Sequence, residues 1–152
     1  MYRNKGFTLV ELIAVIFLLA LILAMAYPSL TRLLDAKKLE TDAHHMAAVI
    51  KVARQEAIMQ TKSRRVVFYP QNQSYRQAGQ PMQYLQAGNT FVGETTFPRG
   101  TDGLPACTFL PSGAPSSGGT VILSDKWGRK KYIIVNPVAG RIRISDSPPA
   151  NW

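Results

Sequence analysis

Residues 6–27 read GFTLVELIAVIFLLALILAMAY, and from position 7 to position 27 the only charge is Glu11. A helix rises 1.5 Å per residue, so these 21 residues span roughly 30 Å, the thickness of a bilayer's hydrocarbon core. The stretch is long and apolar enough to cross a membrane as a helix. A short leader, residues 1–6, stands ahead of it and carries Arg3 and Lys5. Glu11 is the odd residue, because a carboxylate in hydrocarbon costs on the order of 2.5–3.5 kcal/mol on insertion scales and usually marks function. It follows Phe7 by four positions. A cut between Gly6 and Phe7 would place a new α-ammonium one helical turn away, and the two charges would then pair, within one chain or between neighbours.

Three readings of this stretch compete. One is a plain membrane anchor. Another is a secretory signal peptide, since Arg3 and Lys5 form a basic n-region and Ala24-Met25-Ala26 looks like an A-x-A cleavage site. Against it, the apolar run exceeds the usual h-region of about 7–15 residues, and a Glu interrupts it. The third is a short leader removed ahead of an assembly helix. The residues Lys5-Gly6-Phe7-Thr8-Leu9-Val10-Glu11-Leu12-Ile13 resemble the type III signal of type IV pilins and type II secretion pseudopilins. That resemblance implies cleavage after Gly6 by a prepilin peptidase and N-methylation of Phe7. It also implies assembly with other pilins through this helix and Glu11. The expected location is the bacterial inner (cytoplasmic) membrane, crossed once, with the C-terminal part outside the cytoplasm, then the pilus or pseudopilus.

The chain has 152 residues, so about 120 follow the apolar stretch, enough for one small domain. Lys and Arg number 18 against 9 Asp and Glu, a formal charge of +9 that falls to +7 without Arg3 and Lys5. Such a surplus suits anionic partners, nucleic acid or acidic lipid headgroups, and equally a solvated, soluble surface. The single cysteine, Cys107, excludes an intrachain disulfide, which is unusual in a small exported domain. It reads as a small buried apolar residue, with an intermolecular disulfide as the lesser reading.

Beyond the apolar run the period changes. Leu39, Ala43, Met46, Ile50, Ala53 and Ala57 recur at alternating spacings of four and three, an amphipathic stripe. Lys37, Lys38, Glu40, Asp42, Lys51, Arg54 and Gln55 fall on the opposite face. Pro28 would kink a helix; by the pilin resemblance it sits inside one. The expectation is a single helix from about residue 8 to about residue 60, apolar all round in its first half and one-sided in its second. His44 and His45 are adjacent, so they diverge on a helix and suit solvent or an interface better than a metal. From Arg64-Arg65-Val66-Val67-Phe68-Tyr69 onward the pattern is that of strands. Residues 73–77 are placed to pair with this first run as a hairpin. Residues 78–105 are rich in Gly, Pro and Gln and read as loops with a short strand near Thr90. Cys107-Thr108-Phe109-Leu110, Thr120-Val121-Ile122-Leu123, Lys131-Tyr132-Ile133-Ile134-Val135 and Arg141-Ile142-Arg143-Ile144 are strand candidates. Their spacing of about ten residues suggests an antiparallel meander.

Phe109, Pro111, Gly113, Gly118-Gly119-Thr120, Leu123, Asp125 and Gly140-Arg141-Ile142-Arg143 resemble the GspH/FimT family of minor pilins and pseudopilins. The implied fold is α+β and type IV pilin-like: a long N-terminal helix packed on a C-terminal antiparallel β-sheet domain. The organisation read from the chain is a leader over 1–6 and a transmembrane and polymerisation helix over 7–27. Residues 28–61 continue the helix as an amphipathic segment, and 62–152 form a globular β domain. No catalytic constellation is legible. The Gly-rich run at 113–119 has no following Gly-Lys-Ser/Thr, so the reading is a non-enzyme with no cofactor and no metal. The remaining candidates are basic. Arg141 and Arg143 alternate with Ile142 and Ile144, which puts both arginines on one strand face. Arg129, Lys130 and Lys131 sit on the preceding hairpin and would converge with them if the strand bearing Tyr132 pairs with the last one. Arg suits phosphate, and the Gly-Arg-Ile-Arg run resembles the pattern of FimT-type pilins that bind double-stranded DNA in natural transformation. The competing readings are a charged strand edge that blocks aggregation and a type II secretion pseudopilin that acts in export without touching DNA.

Overall fold

From Leu9 to Gln60 the chain is one α-helix, α1, in the computed structural model, which describes residues 7–149. Thr8 begins it in the manner of a capping box: its hydroxyl accepts the Glu11 amide at 3.3 Å, and the Glu11 carboxylate faces the Thr8 amide at 3.5 Å. The chain forms two compact units, Met1–Leu34 and Asp35–Trp152. In the first, the large apolar side chains from Phe7 to Leu34 are exposed all round the helix. In water that is unfavourable, and it suits lipid or neighbouring helices.

In the second unit the stripe expected on α1 is the buried one. Leu39, Ala43, Met46, Ala47, Ile50, Ala53 and Ala57 are essentially inaccessible and form one core with the sheets. Four of the seven are alanines, whose small side chains let sheet residues approach the helix closely. Asp42 departs from the expected polar face, being 6% exposed. The chain at 86–89 folds over it, and the carboxylate accepts Asn89 Nδ2 at 2.6 Å and the Gln86 amide at 2.9 Å. These hydrogen bonds make its burial tolerable.

Eight strands follow: β1 (Arg64–Tyr69), β2 (Ser74–Gln77), β3 (Gln83–Tyr84), β4 (Asn89–Phe91), β5 (Ala106–Phe109), β6 (Gly119–Asp125), β7 (Lys130–Val135) and β8 (Ile142–Ser145). They form two four-stranded antiparallel sheets, ordered β3-β2-β1-β5 and β4-β6-β7-β8. The hairpin expected at 64–77 is there, with Phe68 opposite Tyr75, and β6-β7-β8 is the expected meander, with Ile133 opposite Ile144. The division into two sheets was not legible in the chain. One hinge between them is Gln73, whose carbonyl accepts the Leu85 amide at 2.9 Å while its side-chain Oε1 accepts the Phe91 amide at 2.7 Å.

Phe68 of one sheet stacks on Phe97 at 5.4 Å, and Phe97 lies across Gly119 at the start of β6. A Cβ at Gly119 would sit 2.5 Å from the Phe97 ring, so the glycine exists to admit that ring. Gly119→Ala should lower the unfolding free energy of the detergent-solubilised chain by about 1–3 kcal/mol through overpacking, as read from denaturant midpoints.

Candidate functional site

Gly6 lies outside the described residues. Phe7 precedes the helix and is 77% exposed. Glu11 is exposed and, as it stands, serves its own helix N-terminus through Thr8. The Thr-x-x-Glu spacing was present in the sequence as a capping signal beside the reading of Glu11 as the partner of a future ammonium.

The basic residues divide into two groups. Strand β8 does pair with β7, but antiparallel, with Tyr132 opposite Ser145 and Ile134 opposite Arg143. Lys130 and Lys131 therefore sit at the end of β7 beside Asp146, and Lys131 pairs with it at 2.5 Å. Arg141 lies at the other end, where its carbonyl accepts the Asn136 amide at 3.0 Å. Five residues of strand, about 17 Å, separate the two places. The convergence expected from strand pairing does not occur, because antiparallel pairing sends the first residues of β7 and the residue before β8 to opposite ends.

Each group meets a different part of α1. Lys130 and Lys131 border a groove with Ala36, Leu39 and Glu40. Arg141 borders another with Lys51, Arg54, Gln55, Ala139 and Ile142. Arg54 is anchored there, donating from Nε to the Gly113 carbonyl at 2.9 Å and from Nη2 to the Ala139 carbonyl at 3.4 Å. Arg141 and Arg143 are both exposed, while Ile142 and Ile144 pack on the core, as the alternation required.

The turn from β6 to β7 is built around Asp125. Its carboxylate accepts the Trp127 amide at 2.9 Å, the Arg129 amide at 3.0 Å and Arg129 Nε at 2.6 Å. Arg129 is thereby a structural partner of Asp125, whose side chain is 1% exposed. The turn is tied to α1 by Trp127 Nε1, which donates to Asp35 at 2.9 Å, and by Lys126, 3.0 Å from the same oxygen. The Trp127 hydrogen bond, then that of Lys126, holds the Asp35 carboxyl down at about 2. The contribution is lodged in the charged form.

Cys107 is buried in the core, and burial pushes its thiol up to about 12, so it is a packed apolar group and not a nucleophile at neutral pH. His44 and His45 are both exposed, and His45 Nδ1 is 2.6 Å from the Tyr75 hydroxyl.

Residues 1–27 match the family described as the prokaryotic N-terminal methylation motif, and residues 42–140 match that of the type II transport protein GspH. No curated protein matches. Among solved structures, the chain is similar to the type IV minor pilin FimU of Pseudomonas aeruginosa strain PAO1. Identity is 15% and the TM-score 0.56, over 72% of this chain and 90% of that one. It is also similar to the minor pseudopilin EpsH from the Type 2 Secretion System of Vibrio cholerae. There identity is 12% and the TM-score 0.58, over 71% of this chain and 96% of the other.

A carboxyl whose folded pKa lies below its ordinary value of 3.8 stabilises the fold above that pH and loses the contribution as pH falls toward 2. Acid unfolding should therefore steepen between about pH 4 and about pH 2, and Asp35→Asn should remove part of that slope, followed by Trp fluorescence across an acid titration.

Proposed function

Because the chain belongs to the family of the type II transport protein GspH, we propose that it is a minor pilin or pseudopilin, a non-catalytic structural subunit incorporated through its N-terminal helix. The observation that carries this reading is the first unit. It is a helix with exposed apolar side chains from Leu9 onward and one acid, Glu11, in its first turn, inside a stretch that matches the methylation motif. Prepilin peptidase cuts after Gly6, Phe7 becomes the methylated N-terminus, and its ammonium takes over Glu11 from Thr8. The helix holds the subunit in the inner membrane before assembly, with the β domain outside the cytoplasm, and packs among the helices of other pilins afterwards. N-terminal mass spectrometry of the protein from its native host should find methylated Phe7; a start at Met1 or Tyr27 rejects the reading. Glu11→Ala should lower recovery in the sheared filament fraction on the order of tenfold or more, the scale of an unpaired charge in low dielectric. Unchanged recovery rejects the role given to Glu11.

A second reading adds binding of double-stranded DNA for uptake, and it is favoured by the groove that joins Arg141 to Lys51 and Arg54, with Arg143 exposed two residues on. These are positive charges without an acid among the groove's lining residues. Phosphate contacts there would be independent of sequence and sensitive to salt. Arg141→Gln with Arg143→Gln in the full chain in detergent should reduce duplex affinity and flatten the salt dependence, by about one unit of slope for each phosphate that is no longer neutralised. Unchanged affinity leaves the alternative, a type II secretion pseudopilin that acts in export and does not bind DNA.

A further inference from the structure

The turn between β6 and β7 presents an aromatic side chain among exposed cations. Trp127 is 45% exposed, and Lys126 Nζ lies 5.5 Å from its ring centroid. Arg129 and Lys130 follow, both exposed, and Lys37 is exposed on the adjoining part of α1. Six cations belong to this region, Lys37, Lys38, Lys126, Arg129, Lys130 and Lys131, against four acids, Asp35, Glu40, Asp125 and Asp146. The arrangement matters more than the count. Asp35 and Asp125 are 7% and 5% exposed. Their oxygens are turned inward to Trp127, Lys126 and Arg129, whereas Glu40 and Asp146 lie at the surface and pair with Lys37 and Lys131; around Trp127 itself the exposed charges are Lys126, Arg129 and Lys130.

Chain length ties this surface to the apolar run. Asp35, to which Trp127 is hydrogen-bonded, follows Tyr27 by eight residues. Eight residues reach about 12 Å as helix and no more than about 28 Å fully extended. A bilayer's headgroup layer adds roughly 5–8 Å on each side of its hydrocarbon core. A tryptophan ringed by lysine and arginine is the chemistry of the membrane–water interface.

We propose that the β6–β7 turn, with Lys126, Trp127 and Lys130 outermost, docks on the anionic headgroups of the membrane that the N-terminal helix enters. The inference rests on the reading of residues 7–27 as membrane-spanning. It assigns Lys126 and Lys130 to lipid, and it separates them from the Arg141 groove, about 15 residues or 22 Å further along the helix rise.

The test uses the full chain with Trp152→Phe, which leaves Trp127 as the sole tryptophan of the two. It is reconstituted in nanodiscs of phosphatidylcholine with or without phosphatidylglycerol, with a nitroxide lipid labelled near the headgroup. Quenching of Trp127 should be severalfold stronger with phosphatidylglycerol and should fall at high salt. Lys126→Gln and Lys130→Gln should each weaken docking roughly fivefold. Equal quenching in the two lipids overturns the proposal. So does duplex DNA added to neutral discs, if it alters Trp127 emission as strongly as phosphatidylglycerol does. The anchor is tested separately by alkaline carbonate on proteoliposomes. Release of the chain overturns the spanning reading and the docking with it. A retained chain with lipid-independent quenching overturns the docking alone.

Discussion

A helix that is apolar on every side for its first half and on one side for its second has to be buried twice. The second half solves the problem within its own domain. Its stripe from Leu39 to Ala57 is sealed by residues of both sheets, among them Val66, Phe68, Val121 and Ile133. Full burial of side chains of this size is worth about 1.5–3 kcal/mol each, so the stripe holds the two sheets to one helix. The first half has no such cover within the described residues. Its exposed Leu, Ile, Phe and Val side chains are unfavourable in water, and in the function proposed lipid and then the helices of other subunits cover them.

Acids mark the places where the fold needs direction as well as burial. Asp42, Asp125 and Asp35 each accept hydrogen bonds from residues distant in the chain or in a tight turn. The hydrophobic effect is non-directional, so it does not decide which way the 86–89 segment or the β6–β7 turn faces. The buried carboxylates do. Glu40, Glu94, Asp102 and Asp146 stay at the surface, each paired with a lysine or arginine, and the groove at Arg141, Lys51 and Arg54 has no acid in its lining. Glu11 belongs to the same class of residue as the three aspartates: an acid in an apolar setting, with a donor at one helical turn. Thr8 supplies the donor before processing, and the freed amine of Phe7 supplies it afterwards in the mechanism proposed.

Much was legible in the residues themselves. The buried stripe, the hairpin at 64–77 and the β6-β7-β8 meander follow from periods of 3.6 and 2, which are properties of local geometry; that α1 runs on through Pro28 was read from the pilin resemblance. Cys107 reads from the sequence as a small buried apolar residue, and it is buried. The short strand near Thr90 was legible as well, though the partner it pairs with was not.

What the sequence determined by itself, then, was everything carried by short-range periodicity and by motif: the helix, its two characters, the Phe7–Glu11 spacing and the family. Only the tertiary structure decided what depends on contacts between distant positions. It folded the Gln86–Asn89 segment over Asp42, and it joined Trp127 to Asp35 across 92 positions. It also sent Lys130 and Arg141 to opposite ends of one strand pair. The physical reason is that periodicity fixes which face a residue occupies, whereas the neighbour it meets there is selected by register and packing, which no local pattern records.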